Sequence, residues 1–256
     1  TDVGAILLSA TYKNSDDVGA FGFSISDRFA FKFNVPEQLL KLGLEGNPVG
    51  SIYNFDDADI KGWWLRDYAL TYARSLHEIK PDFLQYLSAG ISLKLVHGFA
   101  YVGTEYVNSK IETGTGNVLS ATGDILAYSA FSEAFAVKYD FDSLDVEKKR
   151  NLGPFPDPAG KGFGLDLGFA AVLNDALSFG LAITDIGSVS WTENAAKFYS
   201  NNAVVLRDIT DAEQRDSLVN SITGEGEYID NFSTPLSTAL RFGVAFQLDK
   251  SDLVRV

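Results

Sequence analysis

The 256-residue sequence contains no cysteine and no methionine. Without cysteine there can be no disulfide, no thiolate zinc site and no cysteine nucleophile. Without methionine the initiator is missing, so the chain is processed, trimmed or the visible part of a longer protein, and no signal peptide stands at Thr1. No stretch approaches the roughly 18 continuous apolar residues of a membrane helix, so any crossing of a bilayer has to be made by strands. Basic residues are scarce: 21 Lys and Arg against 34 Asp and Glu leave a net charge of −13. That balance argues against a phosphate backbone as partner, so no nucleic acid is expected, and against docking on an anionic inner leaflet.

Aromatics and glycine are plentiful: 19 Phe, 11 Tyr, 3 Trp and 23 Gly. These residues favour twisted sheets, tight hairpins and membrane girdles. They recur with period two, which marks strands whose faces meet different surroundings. Phe21, Phe23 and Ile25 alternate with Gly22, Ser24 and Ser26; after a turn read at Asp27-Arg28, Phe29, Phe31 and Phe33 alternate with Ala30, Lys32 and Asn34. Tyr68, Leu70, Tyr72 and Leu76 oppose Asp67, Ala69, Thr71 and Ser75. Ile91, Leu93, Leu95, Phe99 and Tyr101 oppose Ser92, Lys94, Gly98 and Ala100. Phe163 to Phe169 and Leu177 to Ile183 repeat the pattern around a turn at Asn174-Asp175, and Leu236, Leu240, Phe242, Val244, Phe246 and Leu248 close it. About nine or ten strands are legible, many of about 9–13 residues, where a tilted membrane strand needs roughly 9–11.

The second face decides between a soluble and a membrane sheet. It carries Gly, Ala, Ser and Thr with isolated Lys32, Asp67, Lys94, Asp166 and Arg241, which is poor in charge for a face meeting water. A barrel in lipid is apolar outside and small or polar inside. The expectation is therefore an all-β fold: one antiparallel transmembrane β-barrel of about 10–14 strands over residues 1–256, with short helices in long loops. A soluble β-sandwich or barrel is the alternative. Closure follows because each unpaired backbone group at a sheet edge in lipid costs several kcal/mol. Short links at 14–17, 27–28 and 174–175 contrast with long ones at 36–61, 142–161 and 193–235. Thr210-Asp211-Ala212-Glu213 fits a capping box for a helix in the longest link, and a second short helix is expected after Pro36.

Candidate chemistry is sparse. His97 lies beside Leu95 and Phe99, where an interfacial polar residue is the plainer reading than a metal ligand. Asp56, Asp57 and Asp59 could attract calcium, yet the glycine and distal glutamate of an EF-hand are misplaced, so a solvated acidic loop is favoured and no cofactor or metal is expected. Gly160-Lys161-Gly162-Phe163-Gly164 lacks Walker spacing and leads into a strand. With no G-x-S-x-G elbow and no distinguishable nucleophile–base set, an enzyme is not expected. Trp63, Trp64 and Trp191 stand at strand ends, placed for an interfacial girdle. Lys32, Asp67, Lys94, Asp166 and Arg241 are lumen candidates.

Two stretches carry a family resemblance. Gly160 to Gly168, followed by Leu181-Ala182-Ile183-Thr184-Asp185-Ile186-Gly187 and Trp191, resembles a hairpin of outer-membrane barrels of the Bacteroidetes and Chlorobi group. Ala89-Gly90-Ile91-Ser92-Leu93-Lys94-Leu95 looks like a strand common to them. Those proteins are similar to FadL-type fatty acid transporters and to PorV-type barrels of type IX secretion. The resemblance covers about a quarter of the chain. It implies a barrel of about fourteen strands, often with an N-terminal plug; the smaller strand count, the missing plug and the ending at Arg255-Val256 point to an incomplete chain. The expected function is that of a non-enzymatic channel or transporter in the bacterial outer membrane, in contact with outer-membrane lipid and passing small or hydrophobic solutes. The alternative is a structural or secretion-accessory barrel that holds other secretion or surface proteins through its loops.

Overall fold

The computed structural model describes residues 1–15, 18–141, 153, 155–207, 213–214 and 224–247. Alternating sequence becomes strand almost throughout. In chain order the elements are β1 (Asp2–Lys13), β2 (Ala20–Asn34), helix α1 (Glu37–Glu45), β3 (Ile52–Asn54), β4 (Asp59–Ser75), β5 (Tyr86–Thr113), β6 (Leu119–Phe131), β7 (Gly160–Asn174), β8 (Leu177–Trp191), β9 (Ala196–Leu206), β10 (Glu225–Tyr228), β11 (Phe232–Pro235) and β12 (Ala239–Phe246). The twelve strands form one antiparallel sheet, so the fold is all-β, with the helix expected after Pro36 in place. Of the helix expected from Thr210 only Glu213 and Gln214 are described; the rest lies outside the described residues.

β5, at 28 residues, is the spine. One edge carries β4 along Ser88–Gly103 and β3 along Lys110–Glu112. The other carries β7 along Tyr86–Gly98 and then β6 along Ala100–Thr113. The sheet therefore forks at Phe99. On one side of the fork runs a seven-strand sheet, β1-β2-β4-β5-β7-β8-β12. On the other an arm of β3, β5, β6, β9 and β10 projects. The core sits where they part: Leu65, Val96, Tyr101, Ala130, Val189, Trp191 and Leu236 pack together, with Trp63, Tyr128 and Phe232 against them. The Trp191 ring lies flat on Gly98 and Gly160, and a Cβ at either glycine would overlap it.

The seven-strand sheet is curled. Its convex face exposes large apolar side chains; Phe163 is 75% exposed and Leu93 58%. Its concave face carries small and polar residues around a groove of about 1120 Å³. The sheet stays open: among the described residues β1 pairs only with β2, and β12 only with β8.

Several expectations are corrected. Asp27 and Arg28 make no turn; they sit in the middle of β2, because each finds an oppositely charged partner in the sheet. Trp63 and Trp64 lie inside β4 rather than before it. Tyr101 does not share a face with Ile91 and Leu93: Phe99 is an extra residue opposite the Trp64–Leu65 step, and this β-bulge turns Tyr101 to the concave side against Trp191. Leu236 likewise leaves the convex row of β12 and enters the core.

Candidate functional site

The groove lining comes from the small face of each strand: Ser24 and Ser26 of β2, Ala69 and Thr71 of β4, Gly90 and Ser92 of β5, Gly168 and Ala170 of β7, Gly180 and Ala182 of β8. Small side chains leave the space open. Toward the fork the lining changes to charge. Three of the five predicted lumen residues, Asp67, Lys94 and Asp166, meet there, joined by Arg28 and Asp185.

The five form one network. Arg28 Nε lies 2.7 Å from Asp67 Oδ2, and Nη2 donates to Asp67 Oδ1 at 3.1 Å. Its Nη1 donates to Asp185 Oδ2 at 3.1 Å. Lys94 Nζ lies 2.9 Å from Asp185 Oδ1 and 2.7 Å from Asp166 Oδ2. Two cations face three carboxylates, so one negative charge is in excess. Arg28 stands on β2 and Asp185 on β8, with β4, β5 and β7 between them; in a flat sheet that is about 19 Å at roughly 4.8 Å per strand. Their contact shows how tightly the sheet curls at this level: an ion bridge spans the groove.

A second bulge delivers Asp185. Leu165 pairs with Ile186 and Leu167 with Ile183, so Thr184 and Asp185 together face Asp166, and both line the groove. Asp185 adopts φ +61, a conformation uncommon for a residue with a side chain. It is held there on every polar atom: its N–H donates to Asp166 Oδ1 at 2.7 Å, its C=O accepts from Thr238 Oγ1 at 2.8 Å, and its carboxylate takes both cations. Strain of this kind persists only where the surroundings over-determine it.

Beyond the charged layer the groove meets aromatic rings. The Arg28 guanidinium lies 5.8 Å from the Trp63 ring centroid; behind it Trp191 and Phe232 stack, with Tyr101 tilted against both. Trp191 is 1% exposed, with Nε1 donating to Thr234 Oγ1 at 2.9 Å. Of the three tryptophans singled out in the sequence, Trp63 and Trp191 face the groove side and Trp64 the convex side, against Phe29 and Phe99. Lys32 stands apart from the network, paired with Asp59 near the end of β2. Arg241 lines the groove on β12 and is exposed to it. His97 packs edge-on against Tyr68 on the convex face. The Asp56 carboxylate accepts from the Ser109 N–H and that of Asp59 from Thr104, while Asn34 bonds the Asp57 carbonyl; the three do not converge.

Sequence reasoning missed Arg28, Asp185 and a second pair. Arg66 grips Asp27 through Nε at 2.6 Å and Nη2 at 2.8 Å, buried on the convex face between the Phe99 and Phe155 rings. The available signal was the Asp27-Arg28 dipeptide of one strand and the Arg66-Asp67 dipeptide of the next, complementary once aligned.

The molecule thus belongs to the class of curled antiparallel sheets with an apolar outside, a polar groove and a charged cross-brace. Residues 1–254 match the model of a family of unknown function, DUF5723, and the chain belongs to that family. No curated protein and no solved structure matches it.

Proposed function

We propose that this chain forms the wall of an outer-membrane β-barrel, a passive channel or transporter for small or hydrophobic molecules. The observation that carries the reading is the two-faced sheet: large apolar side chains exposed on the convex face, small and polar ones around the groove. In water such a convex face is an aggregation surface; in lipid it is the ordinary outside of a barrel.

Three details support it. First, the apolar band drifts along the strands. On β2 the outward apolar residues run from Phe21 to Phe33; on β8 they end at Ile186 and give way to Ser188 and Ser190. The register line Phe21–Tyr72–Ile91–Leu167–Ile183 joins the start of the first band to the upper part of the second. A level band crossing tilted strands has this form, with tilts near 35–45°. Second, β1–β2, β4–β5 and β7–β8 connect on one end through links of six, ten and two residues, while the longer connections β2–β4 and β6–β7 and the arm stand at the other. Third, the charged pair on the convex face, Arg66 with Asp27, is bidentate and covered by rings, as a charge near lipid requires.

Closure is part of the proposal. β1 and β12 both run away from the fork, so an all-antiparallel barrel takes an odd number of strands between them. Solutes enter the groove from the short-link end, pass small side chains, and meet the Arg28–Asp185 bridge and the aromatic layer, which must move or be bypassed sideways. The arm beyond the fork favours a second reading, an accessory barrel that holds a secretion or surface protein, since a sheet standing clear of the groove adds nothing to conduction.

The test is membrane expression of the full chain, with gel mobility before and after boiling and solute flux in proteoliposomes. A mobility shift with solute-dependent flux supports the channel. A shift without flux, with a protein partner co-purifying, supports the accessory barrel. A freely water-soluble protein without a shift overturns both.

A further inference from the structure

Helix α1 begins four residues after Phe33, the last outward phenylalanine of β2. At about 100° per residue, Leu39, Leu40, Leu42 and Leu44 fall on one broad face, and Glu37, Gln38, Lys41 and Glu45 on the other. Such a face is normally buried against the rest of the fold. Here no residue of α1 is buried, and Leu44 is 88% exposed. What fixes the helix is polar: Gln38 Oε1 accepts from the Asn54 N–H of β3 at 2.9 Å and Tyr53 donates to the Gly46 carbonyl at 2.8 Å, while Lys41 pairs with Glu37 at 2.8 Å within the helix. The polar side is anchored, and on the apolar side Leu39, Leu40 and Leu44 stay exposed among the described residues while Leu42 is half-buried. The chain on either side continues the apolar exposure, with Phe31, Phe33 and Val35 before the helix and Val49 and Ile52 after it.

We infer that α1 lies along the membrane surface with Leu39, Leu40 and Leu44 among the lipid acyl chains, so that its partner is the bilayer itself. This rests on the reading that the convex face meets lipid. The occupant follows from continuity, because the helix prolongs the exposed apolar band of β2. Charge fixes the mode: Glu37, Lys41 and Glu45 sum to −1, so the helix has no basic surplus to seek anionic headgroups and attaches through apolar burial.

The chain has no cysteine of its own, so single labels are clean. Full-length Leu44→Cys, Glu45→Cys and Leu93→Cys proteins would each carry an environment-sensitive fluorophore in phosphatidylcholine vesicles doped with doxyl quenchers at shallow or deep acyl positions. The expected result is that the label at 44 falls below about half its intensity with the shallow quencher, that the label at 45 barely responds, and that the label at 93 responds to the deep quencher. A label at 44 that behaves like that at 45, while 93 is quenched, overturns the helix assignment and leaves the barrel reading standing. A label at 93 that is also unquenched overturns the barrel reading, and the helix assignment with it.

Discussion

The outward row of β5 and the stretch of β5 at the fork both carry large hydrophobic side chains and live in opposite surroundings. Before the fork, Ile91, Leu93 and Leu95 face outward and are exposed; at the fork, Val96, Phe99 and Tyr101 are 0%, 1% and 5% exposed. The fork region makes its own interior by folding rings onto one another. The seven-strand sheet does not, and leaves its apolar face to whatever solvent it is in. Burial in this protein is therefore a property of place rather than of composition, and mutations of like residues in the two regions should separate cleanly.

The largest effect is expected at Asp185. Asp185→Ala removes the carboxylate shared by Arg28 and Lys94, which keep Asp67 and Asp166, and leaves alanine at a positive φ; the loss is expected at about 3–4 kcal/mol, read from denaturant midpoints in detergent. Trp191→Ala should follow at about 3 kcal/mol, by emptying the ring site on Gly98 and Gly160. In the other region Leu93→Arg sharpens the contrast. It should lower stability in lipid by about 2–4 kcal/mol near the bilayer midplane and by less in detergent, where the thin micelle lets the guanidinium reach water at the end of its long stem. Equal effects in both media would dissolve the distinction between the regions. Arg241→Glu should be smallest on stability, within about 0.5 kcal/mol, because Arg241 is exposed in the groove; a shift in the anion-to-cation preference of flux is its readout.

Much of this was legible from the sequence, for a physical reason. Alternation is local, so the apolar rows of β2, β7 and β8 and the placing of Asp67, Lys94 and Asp166 on the opposite face could be read residue by residue. Bulges are not local. The extra residue at Phe99 exists only relative to Trp64–Leu65 of the neighbouring strand, and that at Thr184–Asp185 only relative to Asp166; each silently inverts the alternation beyond it. The same blindness made Asp27-Arg28 look like a turn. A charged dipeptide reads as surface until the strand that neutralises it is aligned, and Arg66 and Asp67 lie 39 residues away from their partners. The helix after Pro36 was legible because its amphipathic spacing is contained within one short segment. Trp191 was marked out by its position at a strand end, while its place in the core depends on two glycines far apart in the chain.

The forked spine also sets an order of assembly. β6 follows β5 through five residues and can zip onto Ala100–Thr113 at once as a hairpin. β7 must claim Tyr86–Gly98 on the same edge across a far longer excursion. Local pairings form fast and distant ones slowly, since loop closure has to precede the contacts that reward it. Until the β7–β8 hairpin docks, one edge of β5 stands open and the ring site on Gly98 lacks its tryptophan. Refolding should therefore show a rapid rise in strand content followed by a slower burial of Trp191, with the interval between the two as the period in which the chain is most exposed to misassociation.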